Sequence, residues 1–336
     1  MLEAVMMPAD QARKPATAAP TVSIIMPAYN VARYIGEALD SVLAQTFTDY
    51  EIIVVNDGSP DTEELEQVLQ PYRDRVVYVK QENRGLSGAR NAGIGTARGS
   101  LIALLDPDDV WEPHYLAVQV PMMENDSTID VLYPNAQIFG DAVDAGREYM
   151  DVCPSNGEVT FETLVTLKCN VFVSVTARRE ALVRAGMFDE SLRSVEDFDL
   201  WLRIVKQGGR IAYHRQVLAR YRRRPESLSA NPVWMLNHSL HVFEKAERAL
   251  NLTSSERQTL NRQQTHFRAS LRLFEGKKAF LDGDAVTAAK ALGEANAYFK
   301  SRKIALTMWL LRYAPRLLLR AYALRDRFVF KASTKF

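Results

Sequence analysis

The apolar run Leu101-Ile102-Ala103-Leu104-Leu105 stops abruptly at Asp106-Pro107-Asp108-Asp109. Five consecutive apolar residues leave no polar face, which predicts a central parallel strand covered on both sides. Pro107 has no N–H to donate and ends the ladder. Open α/β sheets bind ligands at the carboxyl ends of their strands, so these carboxylates stand where a ligand would. Grouped there they repel one another unless a cation neutralises them. Hard divalent ions take oxygen ligands, and Mg²⁺ is commonly held by one or two carboxylates together with substrate phosphate oxygens. The spacing fits a metal–diphosphate site. It fits equally an acidic turn whose side chains cap a helix starting near Pro113.

The chain before this run alternates in the same manner. Val22–Met26 reads as a strand ending at Pro27, and Ile35, Leu39, Val42 and Leu43 then recur at helical spacing. Glu51–Val55 is a second strand, followed by a helix with Ser59 and Pro60 suited to its N-cap and first position. Val76–Lys80, a helix over Gly85–Ala97 and Leu101–Leu105 complete repeated β-loop-α units, which imply a parallel sheet with right-handed crossovers. Beyond Trp111 the pattern loosens: a helix near Pro113–Met123, strands at Ile129–Tyr133 and Val171–Ala177, and a helix opening at Glu196. Two further short strands follow, Ile211–Tyr213 and Val217–Tyr221. The fold class is α/β, a nucleotide-binding mixed sheet flanked by helices, ending near residue 230.

From Pro232 the periodicity is wholly helical, with an Asp282-Gly283-Asp284 turn making a helical hairpin. Domain bounds follow at 1–20 (disordered leader), 21–230 (α/β domain), 231–300 (helical region) and 301–336 (tail). In the tail Trp309, Leu310, Tyr313 and Leu317 interleave with Arg312, Arg316 and Arg320. That is a basic amphipathic helix suited to an anionic membrane surface, or one packed on its own domain with arginines in water. No uncharged apolar run approaches the ~20 residues that cross a bilayer.

A formal net charge of +1 gives no sign of a nucleic-acid partner. Two cysteines, Cys153 and Cys169, are too few for a disulfide framework and lack metal-ligand spacing, which points to a reducing, cytoplasmic compartment.

Four loops converge at the carboxyl edge: Pro27-Ala28-Tyr29-Asn30, Asp57-Gly58-Ser59, Arg84–Asn91 and Asp106–Asp109. Asp57 is placed to accept from a base or ribose, or to cap a helix. Arg90 is placed to face phosphates, or to lie solvated on its helix. Arg220–Arg224, with Arg222 at its centre, is placed to hold a diphosphate, or to blunt a sheet edge. Glu196-Asp197 opens a helix, where the macrodipole stabilises a carboxylate and would keep it ionised near neutral pH. Such a group is a competent general base, or simply a first-turn acid.

Val22–Asn30, Glu51–Ser59, Asn83–Gly93, Leu105–Asp109, Gly186–Asp189 and Glu196–Arg203 together resemble, in order, the blocks of family 2 glycosyltransferases. The resemblance covers roughly residues 20 to 230 and implies an inverting enzyme with the GT-A fold. Its donor would be a nucleoside-diphosphate sugar and its acceptor a hydroxyl of a saccharide or lipid-linked molecule, with Mg²⁺ or Mn²⁺ as cofactor. It implies that Pro27, Ala28 and Tyr29 border the nucleoside, Glu51 and Asp57 belong to the nucleotide pocket, and Asp106 approaches the ribose. Asp108 would ligate the metal, and Asp197 would be the base. Asn56 stands where the family commonly has Asp, and Arg224 where many members have His. A metal-dependent phosphotransferase and a non-catalytic nucleotide-sugar binder are the competing readings. The placement implied is cytoplasmic, or peripheral on the inner face of the plasma membrane.

Overall fold

The computed structural model describes residues 19–224 and 231–314. They separate into two compact units: residues 19–224 with Arg248–Asn251, and residues 231–247 with 252–314.

The first unit is built on an eight-stranded mixed sheet. In chain order it comprises β1 (Val22–Ala28), α1 (Ala32–Leu43), β2 (Tyr50–Asp57), α2 (Thr62–Leu69), β3 (Val76–Gln81), α3 (Gly85–Thr96), β4 (Leu101–Leu104) and β5 (Val110–Trp111). It continues through α4 (Tyr115–Asn125), β6 (Ile129–Gly140), α5 (Tyr149–Val152), α6 (Phe161–Val165), β7 (Thr176–Arg178), α7 (Arg179–Arg184), α8 (Glu196–Lys206) and β8 (Arg210–Arg223). The strand order is β3-β2-β1-β4-β7-β6-β8-β5. Strands β1 to β4 pair in parallel, while β7 runs antiparallel to both β4 and β6.

All seven residues of β1 and all four of β4 are buried, as expected of strands covered on both faces. Helix α1 turns Ile35, Ala38, Leu39 and Val42 inward at the spacing read from the sequence. Helix α3 approaches β1 so closely that a Cβ on Gly93 would lie 2.4 Å from Ile25 Cγ2. Only glycine permits that contact.

Several boundaries differ from the sequence reading. Pro27 lies inside β1, paired with Val55, rather than ending it. The amide of Leu105 donates to the Ile25 carbonyl, so alternate residues of β1 face β4; at Pro27 that neighbour has already ended and no N–H is called for. Helix α2 starts at Thr62, not at Ser59-Pro60, because the Ser59 hydroxyl is engaged with the Asn30 amide and Asp61. The two short strands around residue 215 are one strand, β8, which pairs in parallel with β6 through register shifts near Tyr133 and Asn135. The irregular register breaks the alternation that sequence reading relies on.

The second unit comprises α9 (Pro232–Ala249), α10 (Ser254–Leu281), α11 (Ala285–Phe299) and α12 (Arg302–Tyr313). Thr253 and Glu256 form a reciprocal capping box at the start of α10. Phe280, Ala288, Leu292 and Leu311 form a common core from α10, α11 and α12. The leader through residue 18 and the tail beyond residue 314 lie outside the described residues. Among the described residues no helix is long and apolar enough to cross a membrane.

Candidate active site

Strand β4 delivers Asp106, Asp108 and Asp109 to the carboxyl edge of the parallel strands. The amide of Asp109 donates to the Asp106 carbonyl at 2.9 Å, closing a tight turn. These acids do not cap α4, which starts at Tyr115 with no side-chain cap. Directly after the turn, β5 pairs antiparallel with β8, with Val110 opposite Arg220. Continuing that register backwards brings the basic end of β8 alongside the acids. The Arg222 amide donates to Asp109 Oδ1 and its Nε to the Asp108 carbonyl, each at 2.8 Å. Arg224 Nη2 stands 2.7 Å from Asp108 Oδ2.

Burial, and then the neighbouring Asp106 charge, push the Asp108 carboxyl up, with Arg224 opposing. Asp109 is pushed far higher by burial and by both neighbours. Its Oδ2 is buried without a hydrogen-bond partner. Hard oxygen donors, mutual repulsion and an orphaned carboxylate oxygen fit a divalent cation. Among the described residues no group of three or more His, Cys, Asp or Glu is arranged as a protein-only metal cage. Mg²⁺ is commonly held by one or two carboxylates together with phosphate oxygens, which is the number of protein ligands this turn can offer.

Asp197 lies in the first turn of α8, after Val195 in the left-handed region (φ 54°). That conformation is unusual for a β-branched residue and marks a locally imposed geometry. Desolvation, and then Glu196, push the Asp197 carboxyl up to about 7, against Arg90 and the Phe198 amide, which favour the charged form. Burial and a like charge thus oppose the helix terminus, which by itself favours the ionised form. A base poised near 7 is the better catalyst at neutral pH. The Tyr149 hydroxyl senses the same charge, and its ring packs with Phe172 and Tyr221 at centroid distances of 5.1 and 5.8 Å.

The two acidic centres are joined. Arg90, on α3, donates from Nη1 to Glu196 Oε1 at 2.5 Å and from Nη2 to Asp106 Oδ1 at 2.8 Å. Its side chain is 2% exposed. Arg90 was expected to face phosphates; with both terminal nitrogens committed beneath the surface, it ties the strand-end loop to the helix carrying Asp197.

Glu51 requires a second correction. It opens β2, opposite Ser23 near the start of β1, at the amino ends of the parallel strands. Six residues separate it from Asp57, roughly 20 Å at the usual rise. Burial pushes its carboxyl up, but bonds from Ser23 Oγ (2.7 Å), the Arg98 amide (2.8 Å) and Arg98 Nε (2.8 Å) hold it below the usual range. It fixes the turn into β4 and does not line the nucleotide edge.

Asp57 does end at the carboxyl edge, where its Oδ1 accepts from Gln81 Nε2 (2.7 Å) and the Arg84 amide (2.8 Å). Gly58 adopts φ +62°, and a Cβ there would sit 2.8 Å from the Asn83 nitrogen. Ala28 is buried and Tyr29 is 51% exposed, at the open lip of the edge. Arg222, expected at a diphosphate, is instead clamped by Glu37, the Asp108 carbonyl and the rings of Tyr34 and Phe139. Sequence reasoning missed Tyr34, whose ring on α1 lies against Arg222 and Arg224, and the pairing of Arg224 with Asp108, which follows from the β5–β8 register.

Residues 23–188 match the profile of Glycosyl transferase family 2. An uncharacterized glycosyltransferase of Rickettsia felis is 34% identical over 196 residues, covering 56% of this chain and 32% of that protein. The chain thus spans about a third of that relative's length. The mannosyltransferase PcManGT from Pyrobaculum calidifontis, solved with GDP-Man and Mn²⁺, superposes with a TM-score of 0.59 at 23% identity, covering 98% of this chain and 90% of that one. Staphylococcus aureus TarS 1-349 with UDP-GlcNAc gives a TM-score of 0.57 at 19% identity, covering 89% and 88%. At these identities the structural likeness establishes the fold, that of GT-A glycosyltransferases.

Proposed function

The segment of residues 23–188 belongs to glycosyltransferase family 2, and from that premise we propose that the protein transfers a sugar, with inversion, from a nucleoside-diphosphate sugar to an acceptor hydroxyl. The observation that carries this reading is the buried Glu196–Arg90–Asp106 tie. It fixes a carboxylate titrating near 7, Asp197, relative to a cluster of acids suited to a cation and a diphosphate.

The residues divide the work. Ala28, Tyr29 and Asp57 border the nucleoside at the strand ends, and Asp106 reaches the ribose. Asp108 would hold Mg²⁺ or Mn²⁺, whose charge would stabilise the departing nucleoside diphosphate. Asp197 takes the proton from the acceptor hydroxyl as its oxygen attacks the anomeric carbon. Attack from the side opposite the leaving group inverts the configuration. Arg90 and Glu196 hold the base in place, which matters because small errors in alignment cost large factors in rate. Saccharide and lipid-linked hydroxyls are the acceptor classes.

For α12 we propose a place against an anionic membrane surface. Ile304, Met308 and Leu311 pack inward, while Leu306, Trp309 and Tyr313 are 57, 56 and 62% exposed on another face, with Arg302, Lys303 and Arg312 alongside. An apolar and aromatic face flanked by cations is the pattern of interfacial helices.

A thermal-shift panel of nucleoside-diphosphate sugars with Mn²⁺ tests the donor assignment. A donor at ~100 times its dissociation constant adds ~2.7 kcal/mol of stability. Stabilisation by one donor in a Mn²⁺-dependent manner supports the reading, and a flat response across uridine, guanosine and thymidine donors would sink it.

A further inference from the structure

We propose that Arg224 is a built-in counter-ion for Asp108, displaced by the divalent cation and received by the diphosphate, so that cation and diphosphate bind together rather than in turn. The proposal rests on the reading of the Asp106–Asp109 turn as a metal–diphosphate site.

The geometry separates two neighbouring arginines. Arg222 is fixed on the backbone side of the turn, through the Asp108 carbonyl, Glu37 and two aromatic rings. Arg224 is on the carboxylate itself, with Nη2 2.7 Å from Oδ2 and its guanidinium 4.8 Å from the Tyr34 ring centroid. Both side chains of the pair are largely buried, at 21 and 16% exposure. Three carboxylates on one short turn need a positive neighbour to share a poorly hydrated edge. Arg224 supplies it.

A divalent ion on Asp108 competes with Arg224 for the same carboxylate. Two cations on one carboxylate repel at close range, so the ion must displace the guanidinium. Alone, it exchanges one counter-ion for another and gains little. With a diphosphate present, the displaced guanidinium acquires an anion suited to its planar donor fork. The Tyr34 ring and the end of β8 keep it at the same edge. The bound state then has two positive groups on the diphosphate, and in the metal-free state Asp108 keeps a counter-ion.

The test uses the full chain, with Mn²⁺ alone followed by paramagnetic resonance, and preformed Mn²⁺–pyrophosphate followed by calorimetry. Arg224→Met should bind Mn²⁺ alone at least tenfold more tightly than the unaltered protein, and Mn²⁺–pyrophosphate at least tenfold more weakly. Arg224→Lys, which keeps the charge but not the planar fork, should stay near the unaltered protein for Mn²⁺ alone and fall between it and Arg224→Met for Mn²⁺–pyrophosphate. Arg223→Met, which removes an equal charge paired with Asp144, should raise Mn²⁺ affinity far less, and adding Asp108→Asn to Arg224→Met should abolish the gain. Circular dichroism confirms that each variant is folded. Unchanged Mn²⁺ affinity in Arg224→Met, or an equal gain in Arg223→Met, overturns the exchange while leaving the metal–diphosphate reading standing. Mn²⁺–pyrophosphate binding that does not depend on Asp108 overturns both.

Discussion

Arg90 and Glu196, 106 positions apart in the sequence, meet in a buried 2.5 Å hydrogen bond. Because Arg90 also grips Asp106, it fixes the electrostatic setting of Asp197, whose carboxyl it helps to hold down to about 7. The sign follows directly. The ionised form is the base, so the rate rises with pH and levels off above about 7. Arg90→Met removes the group favouring the charged form, so this limb should move to higher pH, with Arg90→Lys intermediate. A pH–rate profile of kcat measures it. A limb that stays in place in a folded Arg90→Met would show that Arg90 does not act on the base.

Glu51 separates architecture from chemistry. Glu51→Ala removes the acceptor for Ser23 and two donors of Arg98. Bonds to a charged group contribute ~1.5–3 kcal/mol each at most, and losses within one network do not add. Denaturant unfolding should show a loss of about 2–4 kcal/mol, with nucleotide affinity of the folded protein unchanged. A selective loss of nucleotide binding without loss of stability would restore Glu51 to the pocket.

What the sequence disclosed follows from what each signal encodes. Apolar runs and helical spacing placed β1 to β4 and α1 to α3 within a few residues, because burial on both faces leaves its mark on composition. Asp57, Asp106 and Asp108 lie at the carboxyl edge, as read from the sequence, since Asp57 ends β2 and the other two stand in the turn that follows β4. Glu51 was misplaced because it lies at the start of its strand: the parallel direction of β2 puts it at the opposite edge from Asp57. Long-range charge pairing left no trace at all. Arg90 read as a residue facing phosphates or lying solvated on its helix, and nothing local to Arg224 or Tyr34 signals Asp108. The left-handed Val195 was equally invisible, since valine is the last residue one expects there.

Asp108→Ala should abolish the metal-dependent part of donor binding. Without this carboxylate the cation loses a protein ligand, and the diphosphate then faces Asp106 and Asp109 less well compensated. Calorimetry with the best donor, with and without Mn²⁺, gives the comparison. Equal Mn²⁺ enhancement in both proteins would remove Asp108 from the metal site.

The exposed face of α12 gives a prediction that leaves the helical core untouched. Replacing Trp309 and Tyr313 by serine removes surface aromatics only, whereas Leu311 is buried. Flotation with phosphatidylglycerol vesicles should fall several-fold, and salt should weaken what remains, since each basic side chain near such a surface contributes ~1 kcal/mol that ions screen. Equal flotation of both proteins would place this face elsewhere.

Asp197 distinguishes a transferase from a protein that merely binds nucleotide sugars. Asp197→Asn keeps the size of the side chain and its place in the first turn of α8 but removes the proton acceptor. A positioned general base usually contributes ~10²–10⁴-fold, so release of nucleoside diphosphate in the presence of acceptor should fall by that factor and lose its dependence on pH near 7. Donor affinity should hardly change, because the base serves the acceptor oxygen and the diphosphate is held at Asp108. Removing the Asp197 charge also relieves Glu196 of a like-charged neighbour, so the variant should be no less stable than the parent. If turnover survives in Asp197→Asn, the proton goes to another group, and Glu196 cannot serve while Arg90 holds it. If donor binding collapses along with turnover, Asp197 belongs to the nucleotide site, and the division of labour between the two acidic centres must be redrawn.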